Sequence, residues 1–222
     1  RGKGLFSRLY RGAEAVNAAQ SVVNFLAFPN QIARPIYLAK FGYVVGKSPD
    51  IWLIPLPMGL LRPKAELHER FDRDVLHAHA SQKIENVYIK SADYLVWRYE
   101  QNPPEKPAYK VPLKANGKLV GYAVLALKMK KGIPLACLMD IFYQPGVDAH
   151  GFVGQVKRAA ASIGAYALLV MEHPALTCFR DTWMTRVVKN RFNFIVKGQD
   201  ANWASDLAGR RFGFTFGDMD FI

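Results

Sequence analysis

The first apolar residues of the chain recur at helical spacing: Leu5, Leu9, Ala13 and Val16. Gly2 and Gly4 precede Leu5 and permit backbone conformations with positive φ. The pattern therefore predicts a loop that enters a helix. An apolar run from residue 22 to residue 28 follows, and it predicts a buried strand.

After this strand, Pro29 and Asn30 precede a short stretch with helical spacing, which carries Ala33, Ile36 and Tyr37. The turn Phe41-Gly42-Tyr43 ends it. A proline- and glycine-bearing segment from residue 55 to residue 63 then predicts a domain boundary near residue 62.

Beyond this boundary the pattern alternates between strands and helices. Asn116-Gly117 separates two apolar-rich runs and predicts a β-hairpin. The remaining expected elements are a strand over 135–143, a helix over 150–164, a strand over 166–171, a helix over 175–189, and strands over 192–196 and 212–216. We therefore expect an α/β (α+β) fold with mixed sheets flanked by helices.

The formal charge of +12 indicates an anionic partner or environment. No apolar run reaches the roughly 18 residues that a membrane span needs. Cys137 and Cys178 are expected to be reduced core residues, because two cysteines make neither a disulfide framework nor a zinc site. His77 and His79 would diverge on a helix, so no metal is expected.

The chain start carries candidate chemistry for binding phosphate. The first amides of a helix have no intrahelical partner, and the helix dipole adds partial positive charge. Arg1 and Lys3 add full charges beside Gly2 and Gly4. Such a start suits a pyrophosphate, although a turn with solvated cations is the alternative.

These residues resemble the pyrophosphate loop of the GNAT superfamily of acyl-CoA-dependent N-acyltransferases, which reads Arg/Gln-x-x-Gly-x-Gly/Ala. Arg1 and Gly4 match it, whereas Phe6 stands where a small residue is usual. A benzyl group there would crowd the phosphates or fold into the core.

A later motif of the same family, Asn-x-x-Ala-x-x-x-Tyr followed by Gly-Phe, is matched by Asn30, Ala33 and Tyr37. Its glycine is one residue late, at Gly42, and Pro35 is an unusual residue within it.

The resemblance implies a site for acetyl-CoA or another acyl-CoA. Backbone amides from Gly2 through Leu5 to Phe6 would hold the pyrophosphate, with charge from Arg1 and Lys3. Asn30 would contact the pantetheine arm; capping the helix that follows is its alternative role. Tyr37 would donate a proton to the departing thiolate as the catalytic general acid, or else serve as a half-buried core residue.

In this family the pyrophosphate loop follows the fourth strand. The resemblance therefore implies that the chain is an N-terminally truncated fragment, with residues 1–62 the C-terminal half of a first GNAT domain. The order of elements over 63–222 resembles a second GNAT-like domain in tandem, as in bacterial double-domain members linked to polysaccharide or cell-envelope modification.

The second domain departs from an active one at residues 144–151, where no arginine precedes the glycines and Asp148 would repel a phosphate. We expect it to form a wall of the acceptor cleft. Trp97 and Arg98 are candidate substrate-binding residues, an aromatic face for a sugar and a cation for an anionic group. The alternative is that Trp97 is a core residue and Arg98 pairs with a nearby acid. Asp218 and Asp220 are candidates to orient an acceptor amine, or else they end the chain in solvent.

The expected function is a cytoplasmic N-acyltransferase, specifically an N-acetyltransferase, that moves an acyl group from acyl-CoA to an amine of a small molecule or sugar. One alternative is a Fem-like transferase that uses aminoacyl-tRNA, which the basic charge favours. Another is a non-catalytic module that binds anionic lipid or RNA. Under the main interpretation no nucleic acid is expected. The charge that coenzyme A leaves unused has three explanations under this interpretation: a solvated face, a site for a nucleotide-linked acceptor, or peripheral contact with an anionic membrane.

Overall fold

The computed structural model describes residues 4–22, 24–56, 64–79, 90–101, 107–189 and 193–218. The chain divides into two compact units. Unit 1 comprises Arg1–Ser48 and Arg191–Arg211, and unit 2 comprises Pro49–Asn190 and Phe212–Ile222. Each unit therefore combines segments that lie far apart in the sequence.

The described residues form helices α1 (Leu5–Ala19), α2 (Arg34–Lys40), α3 (Arg73–His79), α4 (Ala92–Val96), α5 (His150–Ser162), α6 (Thr177–Arg180) and α7 (Ala201–Gly209). The strands are β1 (Phe25–Ala27), β2 (Val44–Val45), β3 (Ile51–Pro55), β4 (Ala108–Ala115), β5 (Lys118–Lys130), β6 (Ile133–Tyr143), β7 (Ala167–Met171), β8 (Arg186–Val188) and β9 (Ile195–Lys197). A π-helical turn, Trp97–Gln101, continues α4. Two 3₁₀ turns lie at Pro174–Leu176 and Phe216–Asp218.

Unit 1 contains a three-stranded antiparallel sheet in the order β1-β9-β2. Ile195 and Val196 of the central strand β9 are fully buried. The expected strand over 22–28 is present in its centre, but it is only half-buried, because Leu26 is 43% exposed. The two outer strands are short, so β9 supplies most of the buried apolar surface of this sheet.

Unit 2 contains a six-stranded mixed sheet in the order β4-β5-β6-β7-β3-β8. The hairpin of β4 and β5 turns at Asn116 and Gly117, whose φ angles of 50° and 77° confirm the predicted turn. Helix α5 places Phe152 and Val156, both buried, in the core of this unit. The central mixed sheet flanked by helices confirms the expected fold class.

Strands β6 and β7 are parallel but pair only over Leu135–Cys137 and Ala167–Leu169. β6 continues to Tyr143, so its second half has left β7. A β-bulge lies where Val124 and Leu125 of β5 face Asp140 and Leu138, with Met139 between them. The bulge and the divergence of the two strands coincide near Asp140.

The same order of elements occurs twice along the chain. α1, β1, α2, β2 and β3 follow one another near the start, and α5, β7, α6, β8 and β9 follow one another later. In each set the last strand enters the other sheet: β9 lies between β1 and β2, and β3 lies between β7 and β8. Strand β3 thus belongs to unit 2 although it precedes residue 62; the assignment of 1–62 and 63–222 to two GNAT domains stays a prediction.

Two expected elements near the end of unit 2 are wrong. The helix over 175–189 ends at Arg180, because the hydroxyls of Thr182 and Thr185 donate to the carbonyl of Phe179 at 3.0 and 3.3 Å, and β8 then pairs with β3. The strand over 212–216 is instead extended chain that leads into the 3₁₀ turn Phe216–Asp218.

Helix α7 was missed by the pattern. Its signal is Asp200, whose carboxylate accepts the N–H of Trp203 at 2.9 Å as an N-cap. Only Ala204 and Leu207 of this helix are buried, so its apolar spacing is weak.

Candidate functional site

The N-terminus of α1 begins behind Gly4, which adopts a left-handed conformation with a φ of 73°. No side chain among the described residues caps this helix. Its first N–H groups therefore have no side-chain acceptor among these residues and are candidate anion donors. Arg1, Gly2 and Lys3, the other expected contributors, lie outside the described residues. Leu5, the first helical residue, is 56% exposed.

The side chain of Phe6 turns towards an aromatic cluster of unit 1. Its ring lies 5.7 Å from that of Tyr37 and 5.9 Å from that of Phe41, both edge to face. The ring contacts this cluster but stays 44% exposed, so it packs at the edge of the core, and its effect on a bound phosphate stays a prediction. The first turn of α1 and Tyr37 of α2 are thereby in direct contact, although about thirty residues separate them in sequence.

The aromatic cluster consists of Phe6, Tyr10, Tyr37, Phe41 and Tyr43. Tyr10 stacks on Phe41 with ring centroids 4.0 Å apart, and Tyr37 meets Tyr43 edge to face at 5.1 Å. Tyr37 is half-buried, and its hydroxyl forms no hydrogen bond with any described residue. Its ring is held by packing while its hydroxyl is available to another group.

A line of polar groups runs through this cluster. The hydroxyls of Tyr10 and Tyr43 lie 2.9 Å apart, and Tyr10 donates to Oε1 of Glu14 at 3.0 Å. Lys197 of β9 forms an ion pair with the same carboxylate. Burial raises the pKa of both phenols, and in Tyr10 the hydrogen bond with Tyr43 raises it further. Both tyrosines are therefore protonated at neutral pH.

Sequence reasoning missed Tyr10, Glu14 and Lys197. The signal for the first two is their separation by four residues, which places them on one face of α1. No local signal points to Lys197, because it reaches the helix only through the position of β9 between β1 and β2.

Asn30 precedes α2 and is exposed. Its Oδ1 accepts the backbone N–H groups of Ile32 at 3.1 Å and Ala33 at 2.8 Å. These bonds close the turn that precedes α2, whose own N-cap residue, Ala33, has no side-chain cap. The capping role of Asn30 towards α2 stays a prediction. A contact of the remaining amide nitrogen with the pantetheine arm stays a prediction.

Trp97 and Arg98 lie in unit 2, on the π-helical turn after α4. Trp97 is 47% exposed and its ring packs beside that of Tyr94, at 5.9 Å. The guanidinium of Arg98 lies 5.9 Å from the centre of the Tyr99 ring. An exposed indole next to a cation is compatible with the expected acceptor wall, which stays a prediction.

A buried ionic cluster lies where β6 leaves β7. Nζ of Lys90 forms ion pairs with Asp140 and with Oδ1 of Asp218, the latter at 2.8 Å, and it donates to Oγ1 of Thr215 at 2.8 Å. The hydroxyl of Tyr99 donates to the second oxygen of Asp140. Asp218 is therefore not a solvated chain end, as one of its alternatives had it, but a buried partner of a lysine. Asp220 lies outside the described residues.

The pKa values in this cluster follow from burial and from the opposed charges. Burial alone would lower the pKa of Lys90, but the attraction of Asp140 and Asp218 outweighs it and raises that pKa. Burial raises the pKa of Asp218 against the opposing effect of Lys90. These contacts hold the segment Thr215–Asp218 against β6, at the place where β6 and β7 diverge.

Helix α5 begins the second set of elements along the chain, as α1 begins the first. Here Oδ1 of Asp148 accepts the N–H of His150 at 3.0 Å. A carboxylate in this position already uses an amide that an anion would need, and it repels phosphate. Whether the second domain holds acyl-CoA stays a prediction.

Other chemistry in the described part of the chain is limited. No group of three His, Cys, Asp or Glu side chains there could hold a metal ion. No helix in the described ranges is both long and apolar enough to cross a membrane. Cys137 and Cys178 are both buried and unbridged, and burial raises the pKa of Cys137 to about 11.

No protein-family model matches the sequence, and no curated protein matches it. Solved structures do match its fold. A GCN5-related N-acetyltransferase from Anabaena variabilis superposes with a TM-score of 0.60 at 13% identity, covering 90% of this chain and 52% of that one. The chain has the GNAT fold.

Two further structures agree with this assignment. A probable N-acyltransferase of unknown function from Enterococcus faecalis gives a TM-score of 0.58 at 14% identity, over 90% of this chain and 51% of that one. Eis1 from Mycobacterium abscessus gives 0.53 at 13% identity, over 89% and 53%. The chain spans about half the length of these GNAT-fold structures.

Proposed function

We propose that this protein is an N-acyltransferase, specifically an N-acetyltransferase, that uses acyl-CoA bound by unit 1. The observation that carries the proposal is the contact between Phe6 and Tyr37, with ring centroids 5.7 Å apart. It supports the proposal because it joins the first turn of α1, the candidate pyrophosphate site, to the helix that carries Tyr37, the candidate proton donor. A thioester donor needs both, a phosphate-binding end and a proton donor near the sulfur.

In the proposed reaction the nitrogen of an acceptor amine attacks the thioester carbonyl. A C–N bond forms, the C–S bond breaks, and the amine loses a proton to solvent or a base. The hydroxyl of Tyr37 gives a proton to the departing thiolate and is reprotonated from solvent. Holding donor and acceptor together supplies most of the rate.

The donor would lie with its pyrophosphate on the amides of Leu5 and Phe6, with Gly2, Arg1 and Lys3 in the roles that the family resemblance implies. Gly4 permits this approach because its backbone is left-handed and no side-chain atom projects there. Asn30 shapes the turn before α2 and would present its amide nitrogen to the pantetheine arm.

The acceptor is an amine-bearing small molecule or sugar, such as a cell-envelope precursor, with Trp97 and Arg98 in its binding surface. We propose two GNAT-like domains in tandem, because the order helix, strand, helix, strand, strand occurs twice in the chain. A cytoplasmic location fits a donor of this kind.

Calorimetry with acetyl-CoA on the full-length protein tests this function. Gly4→Val forces a β-branched residue into a left-handed conformation, which costs about 1–2 kcal/mol or more and distorts the amides. We expect affinity to fall by about tenfold or more.

Gly12→Ala is the matched control, since Gly12 lies in the same helix with open space around its Cα and no positive φ. It should bind like the parent protein. Absence of binding by the folded parent, or equal binding by Gly4→Val, would contradict the proposal.

The charge of +12 favours one second candidate, a Fem-like transferase with an aminoacyl-tRNA donor. Such a protein would bind tRNA with an affinity that falls steeply with salt and would transfer from charged tRNA in the absence of acyl-CoA. Transfer from acetyl-CoA alone would exclude it.

A further inference from the structure

Unit 2 contains an open groove of about 340 Å³, a size within the range of small-molecule sites. Its apolar part comes from Ala65, Val111 and Pro112, of which the latter two are buried. Its charged part comes from Lys64, Glu66, Lys114 and Arg158. The groove belongs to no part of the proposed acyl-CoA site, because all these residues are in unit 2.

One of the three cations in the groove is already neutralised. Nζ of Lys114 lies 2.5 Å from Oε2 of Glu66, whose other oxygen is 2.9 Å from Nε2 of His68. The hydrogen bond from Lys114, followed by that from His68, lowers the pKa of Glu66. Glu66 is therefore ionised and offsets Lys114.

Lys64 and Arg158 have no ion pair among the described residues, and both are exposed at the groove. The local charge is thus an excess of two positive charges beside an apolar surface. A monoanionic carboxylate would neutralise half of it, whereas a dianionic phosphate monoester would match it. Arg and Lys are also the side chains that proteins use to bind phosphate oxygens.

The groove is held in shape by hydrogen bonds between a strand and a helix. The N–H of Lys114 in β4 donates to Oε1 of Gln155 in α5 at 2.9 Å, and Nε2 of Gln155 donates back to the carbonyl of Lys114 at 2.8 Å. Arg158 lies three residues after Gln155, on the same face of α5. The fold therefore places the backbone of Arg158 on the side of the groove where α5 is bonded to β4.

We infer that this groove binds the phosphate group of a small phosphate-bearing molecule, with Lys64 and Arg158 as the residues that contact it. Its apolar surface at Pro112 takes the adjoining carbon skeleton. The inference does not depend on acyl transfer, and its test contains no coenzyme A.

The test is an NMR titration of the protein with inorganic phosphate at constant ionic strength and pH 8, where phosphate is mainly dianionic. The backbone amide of Lys114 and the side-chain amide of Gln155 report on the groove. We expect saturable shifts of both signals, and weaker binding by tenfold or more in Lys64→Gln and in Arg158→Gln.

Lys118→Gln is the matched control, because Lys118 is an exposed lysine on the same hairpin and does not line the groove. Its affinity should stay within twofold of the parent. Acetate at the same ionic strength should give much smaller shifts. Shifts that do not saturate, that persist in both groove variants, or that acetate reproduces would overturn the inference.

Discussion

Replacement of Lys90 by Met is the most direct test of how unit 2 is held together. Lys90 is 7% exposed and faces two carboxylates, Asp140 at 2% and Asp218 with a side chain at 8% exposure. Methionine retains most of the aliphatic stem, so the change removes a charge with little loss of packing. It leaves two neighbouring buried carboxylates with no cation.

Loss of one partner from a buried ion pair costs about 3–5 kcal/mol, because the remaining charge is uncompensated. At 1.4 kcal/mol per tenfold, the opening equilibrium of unit 2 should rise by roughly two to four powers of ten. The effect should appear in unit 2 alone, because all members of the ionic cluster, including Thr215 and Tyr99, belong to this unit.

The pH dependence gives a second signature. Burial raises the pKa of Asp218, and in Lys90→Met the opposing effect of the lysine is lost, so the folded-state pKa of Asp218 should lie further above its unfolded value. The variant should therefore be as stable as the parent protein with respect to this carboxyl group below its unfolded pKa of about 3.9. It should lose stability as the pH rises through the folded pKa. The deficit against the parent protein should therefore shrink from pH 7 towards pH 5.

In the parent protein the raised pKa of Lys90 determines how the stability of unit 2 changes with pH in the alkaline range. Its stabilising contribution is complete below the unfolded pKa of 10.5 and is lost only as the pH rises through the higher folded value. Unit 2 should consequently resist mild alkali.

Native-state hydrogen exchange of the amides of β5 and β6 measures these free energies without mixing the two units. The control is Lys118→Met, because Lys118 is an exposed lysine at the start of β5. This change should alter stability by less than about 0.5 kcal/mol. The double variant Lys90→Met with Asp218→Asn should recover part of the loss. A Lys90→Met deficit below about 1 kcal/mol at pH 7, or one that is independent of pH, would refute the reasoning.

Two further predictions follow from single side chains. Tyr37→Phe should lower kcat for acetyl transfer by about 10²- to 10⁴-fold while the Kd for acetyl-CoA stays unchanged, because only the proton donor is lost. Steady-state kinetics measures kcat and calorimetry measures Kd. An unaltered kcat would remove Tyr37 from the mechanism. Gly217→Ala should destabilise unit 2 strongly, since the new Cβ would lie 2.3 Å from Oδ2 of Asp140. Urea unfolding measures this effect. The control is Gly154→Ala, whose Cβ has no heavy atom within 4 Å and which should stabilise α5 by up to about 1 kcal/mol.

Local patterns determined much of the fold. The spacing of apolar residues predicted α1 and α5, and Asn116-Gly117 predicted the hairpin of β4 and β5, because these elements depend on neighbours in sequence. The contact between Phe6 and Tyr37 joins two segments that the sequence had already marked as parts of one site.

Tertiary structure alone decided the rest. β9 enters the sheet of unit 1 and β3 that of unit 2, so Lys197 reaches Glu14 by a route that no local pattern encodes. Lys90 and Asp218 likewise meet only when the end of the chain packs against β6. A sequence specifies turns and amphipathic faces through short-range sterics and periodicity, whereas strand exchange and buried ion pairs depend on which distant segments share a core.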